Sequence, residues 1–184
     1  IHNASLITCA SNLKAKKGAE MSDLGIIENG AAAVADGKIL AVGKSSEILR
    51  GFQSDQIIDA ENKTVSPSFV ECHTHIVFAG NRLNEFELKI KGADYLEILA
   101  NGGGILSTVR QTREASLADL IAQSRRRLDK LLALGVTTCE VKTGYGLDTE
   151  TELKMLEAIL ELGKTHPVEI IPTFLPAHAV PPEF

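Results

Sequence analysis

Two histidines separated by one residue, His73 and His75, are the side chains in this sequence best placed to do chemistry. They lie in an apolar segment, residues 69–78, whose composition predicts a β-strand. Alternate side chains of a strand leave the same face, so the two rings start from Cα atoms about 7 Å apart. That spacing suits two imidazoles that hold one metal ion. A pair of histidines hydrogen-bonded within a sheet has the same spacing and stays open as an alternative.

Two imidazoles make only half of a metal site, because structural zinc takes four protein ligands and catalytic zinc usually three plus water. Within the chain, the further candidate ligands are His178, Glu140 and Asp148. We expect His166 to lie in a solvated loop and His2 to lie at a frayed chain start. Both are therefore left out of the site.

The second part of the chain alternates apolar strands with amphipathic helices, which is typical of parallel βα units. Strands are predicted over residues 69–78, 136–141 and 168–175. One helix is predicted to begin at Ser116 with Asp119 three residues on, and another at a capping box made by Thr149 and Glu152. A (β/α)8 barrel takes about 250 residues, so the pattern predicts the first part of such a barrel, with the histidine pair near its active-site end.

The first sixty residues predict a small β unit. Short apolar runs separated by turn signals indicate strands over residues 5–9, 30–35, 39–42 and 56–58. Asp36-Gly37 predicts a two-residue hairpin turn, because glycine accepts the positive φ that such turns demand. We therefore expect two domains, a β domain over residues 1–64 and a partial barrel over residues 65–184.

Composition narrows the function classes. The 184 residues carry a net charge of −5, with 44% hydrophobic and 23% charged residues, which argues against a nucleic-acid partner. No segment has the roughly 20 apolar residues of a membrane helix, and the start lacks a secretory signal, so we expect a cytoplasmic protein without a membrane partner. The missing initiator Met and the abrupt end suggest that both ends were cut. Cys9, Cys72 and Cys139 form no Cys-x-x-Cys pair and are expected to be buried free thiols.

Residues 67–75, Pro-Ser-Phe-Val-Glu-Cys-His-Thr-His, resemble the first-strand motif of the amidohydrolase superfamily of metal-dependent hydrolases. Four further segments, residues 78–82, 102–105, 142–147 and 177–183, are similar to the imidazolonepropionase family within it. The resemblance implies a TIM barrel of the amidohydrolase type preceded by strands of a small composite β-sandwich domain. It also implies hydrolysis of 4-imidazolone-5-propanoate to N-formimidoyl-L-glutamate in histidine degradation. Ser68 and Glu71 depart from the Gly and Asp usual in the motif.

The same resemblance implies residue roles. His73 and His75 would be metal ligands, and His178 would contact the substrate and take part in catalysis. Arg82 would bind the substrate propionate through its planar fork of donors, and Tyr145 would bind the substrate from a loop between two glycines. A surface arginine and a structural turn tyrosine are the plainer alternatives for these two. The triple glycine at 102–104 would let a loop approach the substrate or serve as a simple connector.

The expected cofactor is one Zn²⁺ or iron ion (Fe²⁺ or Fe³⁺) per active site, with zinc favoured, since both metals accept imidazole nitrogen. Lys142 follows the second βα strand, so no carbamate bridging two metals is expected. By family likeness, a histidine, an aspartate and a proton shuttle fall beyond Phe184, so this chain alone is expected to be inactive. The rival functions are another amidohydrolase, of the deaminase or dihydroorotase type, and a noncatalytic metal-binding fragment. A homodimer remains open.

Overall fold

The computed structural model describes residues 1–11, 14–94, 97–98 and 102–183. Contacts divide the chain into two compact units, Ile1–Pro67 and Ser68–Phe184. We call them the N-terminal unit and the parallel-sheet unit and describe each by itself. Together they make a mixed α/β protein, as expected.

The N-terminal unit is built on a four-stranded sheet with the order β3-β2-β1-β4. Its strands are β1 (Ala4–Ile7), β2 (Ile26–Ala35), β3 (Lys38–Lys44) and β4 (Thr64–Val65). β2 runs antiparallel to both β1 and β3, whereas β4 runs parallel to β1. A 3₁₀ turn (Gly18–Ser22) and a short helix, α1 (Ser45–Gly51), complete the unit.

The predicted hairpin is confirmed, and one predicted strand is wrong. Asp36 and Gly37 join β2 to β3 with φ angles of 52° and 72°, the positive values that a primed turn requires. The predicted strand at residues 56–58 is absent, because Ser54 bonds the backbone of Gln56 through its hydroxyl and makes a local turn there. Ile57 and Ile58 are consequently exposed, and the fourth strand is β4 instead.

The parallel-sheet unit alternates strands and helices. In chain order its elements are β5 (Phe69–Thr74), α2 (Leu83–Ile90), α3 (Ile105–Glu114), α4 (Leu117–Ala133), β6 (Val136–Lys142), α5 (Thr149–Thr165) and β7 (Glu169–Thr173). The strands pair in parallel with the order β5-β6-β7. Their carboxyl ends therefore meet at one edge of the sheet. The helices α2 and α3 fall in a segment that the sequence pattern left as a connection.

The helices α4 and α5 cover the sheet through the apolar stripes that the sequence indicated. Leu120 and Leu128 of α4 and Ile159 of α5 are at most 1% exposed. They form one core with Cys139 and Val141 of β6. Burying a side chain of this size contributes about 1.5–3 kcal/mol, so this core is the main source of the unit's stability.

The first strand of this unit is shorter than predicted. β5 ends at Thr74, and the residues after it leave the ladder, with Ile76, Val77 and Ala79 buried. Their backbone groups bond to side chains: the carbonyls of Ile76 and Phe78 accept from Arg127, and the Ala79 amide donates to Thr112. These side-chain partners satisfy the buried backbone and remove the need for strand pairing.

Helix starts were partly predicted. Ser116 caps α4 and accepts a bond from the Asp119 amide, as expected. The predicted capping box of Thr149 and Glu152 is wrong, because Asp148 is the N-cap of α5 and accepts from the Thr151 amide. The helix begins one residue earlier than a Thr149 cap would place it, and the Glu152 carboxylate turns to a different partner.

Two of the three cysteines differ from expectation. Cys139 is buried, but Cys9 and Cys72 are exposed. Cys9 lies after β1 with a φ of 48°, and Cys72 lies on β5, at the edge of its sheet.

Among the described residues, none of the helices is both long and apolar enough to cross a membrane.

Candidate active site at the carboxyl ends of the parallel strands

The two histidines of the motif lie close together where β5 ends. His73 is exposed on the strand, and His75 follows the strand and is half-buried. Their ring centroids are 5.8 Å apart, with the ring planes at 60°. The Nδ1 atom of His75 is buried and has no hydrogen-bond partner among the described residues. An imidazole nitrogen left in this state is free to bind a cation.

The surroundings of His75 keep its ring neutral. Burial is the largest cause that lowers the pKa of His75, and the neighbouring His178 lowers it further. A hydrogen bond with the Thr143 backbone opposes them, and His73 and Lys142 add smaller lowering effects. With a pKa below its usual range, the imidazole is uncharged at pH 7. The neutral ring is the form that binds metal ions.

Two more predicted site residues reach the same place from other strands. Tyr145 follows β6, and His178 follows β7. The His178 ring stacks on His75 with centroids 4.5 Å apart and planes at 12°. The Tyr145 ring lies 5.1 Å from His75 and 5.7 Å from His178. We call His73, His75, Tyr145 and His178 the ring cluster. Three strands contribute to it, as expected of a site at the carboxyl edge of a parallel sheet.

The loop that carries Tyr145, residues 143–147, is shaped by a carboxylate that the site prediction did not include. Glu152 in the first turn of α5 is 1% exposed. Its Oε2 accepts from the Gly144 amide at 2.9 Å, and its Oε1 accepts from the amides of Gly146 and Leu147 at 2.7 and 2.9 Å. The signal in the sequence was a Gly-x-Gly loop just before an acidic first helical turn, which we interpreted as a capping box.

The two glycines of this loop are required by close packing. Gly144 has a φ of 115°, and a Cβ there would lie 2.8 Å from the Cβ of His178. A Cβ on Gly146 would lie 2.8 Å from the Glu152 amide nitrogen. Residues with side chains rarely adopt the backbone conformation of Gly144, and neither glycine position has room for a side chain.

The carboxylates considered as further ligands are paired with basic side chains. Glu140 pairs with Lys142 and bonds Thr173, while its Oε2 is buried without a partner among the described residues. Burial pushes the pKa of Glu140 up, but the bonds from Lys142 and Thr173 outweigh it and hold the pKa below its usual range. Asp148 caps α5 and pairs with Arg113 at 2.8 Å. Within the part of the chain that the structure describes, no three His, Cys, Asp or Glu residues converge as a metal-binding group.

Arg82 lies apart from the ring cluster in its described contacts. It is exposed just before α2, and its Nε donates to the Thr108 hydroxyl of α3 at 2.9 Å. It lines a cavity of about 610 Å³ together with Ser107 and Arg110. The triple glycine borders the same helices: the Gly104 amide donates to Glu85 at 3.0 Å.

His166 and His2, the two histidines left out of the predicted site, are better held by neighbours than expected. His166 is 8% exposed rather than solvated. Its Nε2 lies 3.2 Å from an Asp129 oxygen, and its Nδ1 accepts from the Val168 amide. The two bonds hold the ring in place where the chain leaves α5. The backbone of His2 bonds Ile58 and Ala60, so the chain start is not frayed.

The sequence has close relatives among curated proteins, although no family model matches it. It is 49% identical over 185 residues to an imidazolonepropionase of Chloroflexus aggregans, an alignment that covers 100% of this chain and 43% of that protein. It is 54% identical to the imidazolonepropionase of Herpetosiphon aurantiacus, covering 91% of this chain and 39% of the relative. For the imidazolonepropionase of Parabacteroides distasonis, the identity is 47%, with 100% and 45% covered. The chain thus spans less than half the length of these relatives.

Proposed function

Because the chain belongs by sequence to the imidazolonepropionase family, we propose that it forms part of the active site of such a hydrolase. The reaction is the hydrolysis of the cyclic amide of 4-imidazolone-5-propanoate to N-formimidoyl-L-glutamate, a step of histidine degradation in the cytoplasm. The observation that carries the proposal is the ring cluster, in which His75 lies within 6 Å, centroid to centroid, of three other rings.

The fold proposed for the whole protein is a (β/α)8 barrel with a small β-sandwich domain. The parallel order β5-β6-β7, with α4 and α5 packed into the core beneath it, supports a barrel segment. The mixed four-stranded sheet of the N-terminal unit supports a sandwich segment. In this proposal the remaining strands come from the additional length that the relatives have.

The chemistry of the donors fits a divalent cation. His73 and His75 would hold it, because their rings are close, the His75 ring is neutral, and its buried Nδ1 has no other partner among the described residues. Nitrogen donors suit one Zn²⁺ or iron ion. A bound ion of this kind lowers the pKa of water toward 7 and polarises a carbonyl. Further donors and a proton shuttle are proposed to lie in the parts of the family fold that this chain lacks, so the chain by itself would be inactive.

The other residues of the site would bind and orient the substrate. Tyr145 offers a hydroxyl and His178 an imidazole beside His75, so both would contact the ring of the substrate or carry a proton for it. The guanidinium of Arg82 would bind the propionate, since it pairs with carboxylates through two parallel bonds. Among the described residues only its Nε has a hydrogen-bond partner, Thr108, which leaves its terminal nitrogens for a ligand.

Ring opening is the direct test. The protein, expressed as its full reading frame and supplied with zinc or ferrous iron, should consume 4-imidazolone-5-propanoate and release N-formimidoylglutamate. This 184-residue chain alone should not. Failure of the metal-loaded full-length protein to release product would overturn the proposal.

Substitution of Arg82 separates this activity from that of other amidohydrolases. Arg82→Met should lower kcat/KM for the acid substrate by about 10–100-fold, the worth of a hydrogen bond to a charged group, and should spare an analogue whose propionate is replaced by an amide. Arg126→Met is the matched control, because it changes an exposed arginine of α4 that donates to the Ala122 carbonyl of its own helix. Equal losses on both substrates would favour another amidohydrolase.

A further inference from the structure

Glu152 is the one buried carboxylate beside the ring cluster, within the described residues, that has no place in the proposed chemistry. We propose that Glu152 is a positioning residue: through the loop 143–147 it sets the place of Tyr145 and the tautomer of His178. The hydrogen bonds stand by themselves, while their consequence for catalysis rests on the proposed function.

A short chain of bonds links Glu152 to His178. The carboxylate accepts the amide of Gly144, and the carbonyl of the same residue lies 3.0 Å from the Nδ1 atom of His178. A carbonyl oxygen can only accept, so Nδ1 carries the proton in this bond. In the uncharged form of the ring, the unprotonated nitrogen is therefore Nε2. The hydrogen bond made by Nδ1 thus determines whether Nε2 carries a proton.

The loop needs an external support because its backbone is costly. Leu147 has a φ of 55°, a left-handed conformation that is unfavourable for a residue with a side chain. The amide of Leu147 donates to Glu152, and the preceding Gly146 carbonyl accepts from Arg113 at 2.8 Å. The turn is held from two sides, and Tyr145 lies inside the part that is held.

The carboxylate of glutamate suits position 152 better than the amide of glutamine, which has the same shape. Both of its oxygens accept, and together they take three backbone N–H groups. Glutamine has one oxygen and one NH₂ group, so at least one backbone donor would face a donor, and a buried unsatisfied group is unfavourable. Glu152 also lies in the first turn of α5, where the helix dipole favours negative charge.

The test compares Glu152→Gln with Glu157→Gln in the metal-loaded, full-length protein. Glu157 is exposed on the same helix, so the control makes the same chemical change without a role in the loop. The ¹⁵N spectrum of histidine-labelled protein reports the tautomer, with the His178 signals identified by their loss in His178→Gln. We expect His178 protonated at Nδ1 in the wild type and in Glu157→Gln, and a mixture of tautomers in Glu152→Gln. We also expect kcat/KM to fall about 100-fold in Glu152→Gln alone, as for a misplacement of about 1 Å.

A second variant keeps the test decisive if Glu152→Gln does not fold. Glu152→Asp retains two accepting oxygens on a shorter side chain, so it should keep the wild-type tautomer in a larger fraction of molecules and lose less activity. The proposal is overturned if His178 keeps its wild-type ¹⁵N shifts in every Glu152 variant that folds, whatever the rate. If the shifts change as expected but the wild type opens no imidazolone ring, the positioning role stands and the proposed function fails.

Discussion

The two units of this chain hold their elements together in different ways. In the parallel-sheet unit, thirteen of the described residues are buried in one core between the strands and the helices. In the N-terminal unit, the buried cluster consists of Ala4, Leu6 and Ala60. The ring cluster lies in the parallel-sheet unit. Histidine and tyrosine rings from three strands can be held at fixed distances only where the strands beneath them are packed.

The two units also differ in the hydrogen bonds that their buried polar side chains make. In the parallel-sheet unit, buried side chains such as Thr112, Thr143 and Glu152 bond the backbone of loops near the strand ends. In the N-terminal unit, Ser45 alone is both buried and polar among the described residues, and it joins α1 to the sheet. Loops at the carboxyl edge of the parallel strands are therefore fixed by side chains as well as by their own turns.

The largest expected effect is on metal retention. Replacing His73 or His75 with alanine should weaken metal binding by more than about 100-fold, the upper range for changes that only support a ligand, whereas His2→Ala in the N-terminal unit should have no effect. Elemental analysis after dialysis against a weak chelator measures the difference. Equal metal content in all three variants would remove the contrast between the two units.

Core packing gives the next largest contrast. Leu128→Ala removes a side chain that is 0% exposed and should lower the free energy of unfolding by about 2–5 kcal/mol. Leu40→Ala, on a side chain of β3 that is 57% exposed, should change it by less than about 0.5 kcal/mol. Denaturant titration followed by circular dichroism suits a chain without tryptophan. Similar losses in both variants would mean that β3 is as well packed as the core.

The elements of the fold were predicted where the local pattern decides them. Alternating strands and helices, the turn at Asp36-Gly37 and the cap at Ser116 depend on neighbouring residues and were correct. The early end of β5 was not predictable, because it depends on Arg127, which reaches back across about fifty residues to the carbonyls of Ile76 and Phe78. Long-range side-chain partners of this kind leave no periodic signal in the sequence.

The site was predictable to a similar degree. The spacing of His73 and His75 and the order of the strands predicted where the site lies, since parallel strands place their carboxyl ends together. Tyr145 came from the family resemblance, as did Arg82, whose described contact is with Thr108. Glu152 was assigned to a helix cap, because a pattern of Thr and Glu three residues apart is equally compatible with a cap and with a tertiary bond. His166 was assigned to solvent because its partner Asp129 is distant in the sequence.

A methyl group in the loop that carries Tyr145 should have a moderate effect. Gly146→Ala would place a Cβ 2.8 Å from both the Glu152 nitrogen and the Cβ of Thr151, and should lower stability by about 1–3 kcal/mol. Gly51→Ala at the end of α1 has open space around it and should be neutral to within about 0.5 kcal/mol. Thermal melting of the two variants checks this, and an unchanged melting temperature for Gly146→Ala would show that the loop is free to move away.

Thiol reactivity gives the smallest and simplest contrast. Burial raises the pKa of the Cys139 thiol, a bond from Thr74 opposes it, and Glu71 and Glu140 raise it further. Because the Cys139 thiol is less ionised and the reagent cannot reach it, Cys139 should resist alkylation at pH 8 until the chain unfolds. The exposed Cys9 should react at once. Mass spectrometry of alkylated peptides separates the two, and equal labelling rates in the folded protein would contradict the difference in packing.

X-ray absorption at the zinc edge tests the central claim most directly, namely that His73 and His75 hold one ion together. The zinc-loaded, full-length protein should show imidazole scattering from at least two rings with nitrogen at about 2.0–2.1 Å. In a His73→Ala, His75→Ala double variant, the bound zinc should be lost, or the count of imidazole rings should fall by two. Zinc bound by sulfur at about 2.3 Å, or an unchanged spectrum in the double variant, would contradict the account.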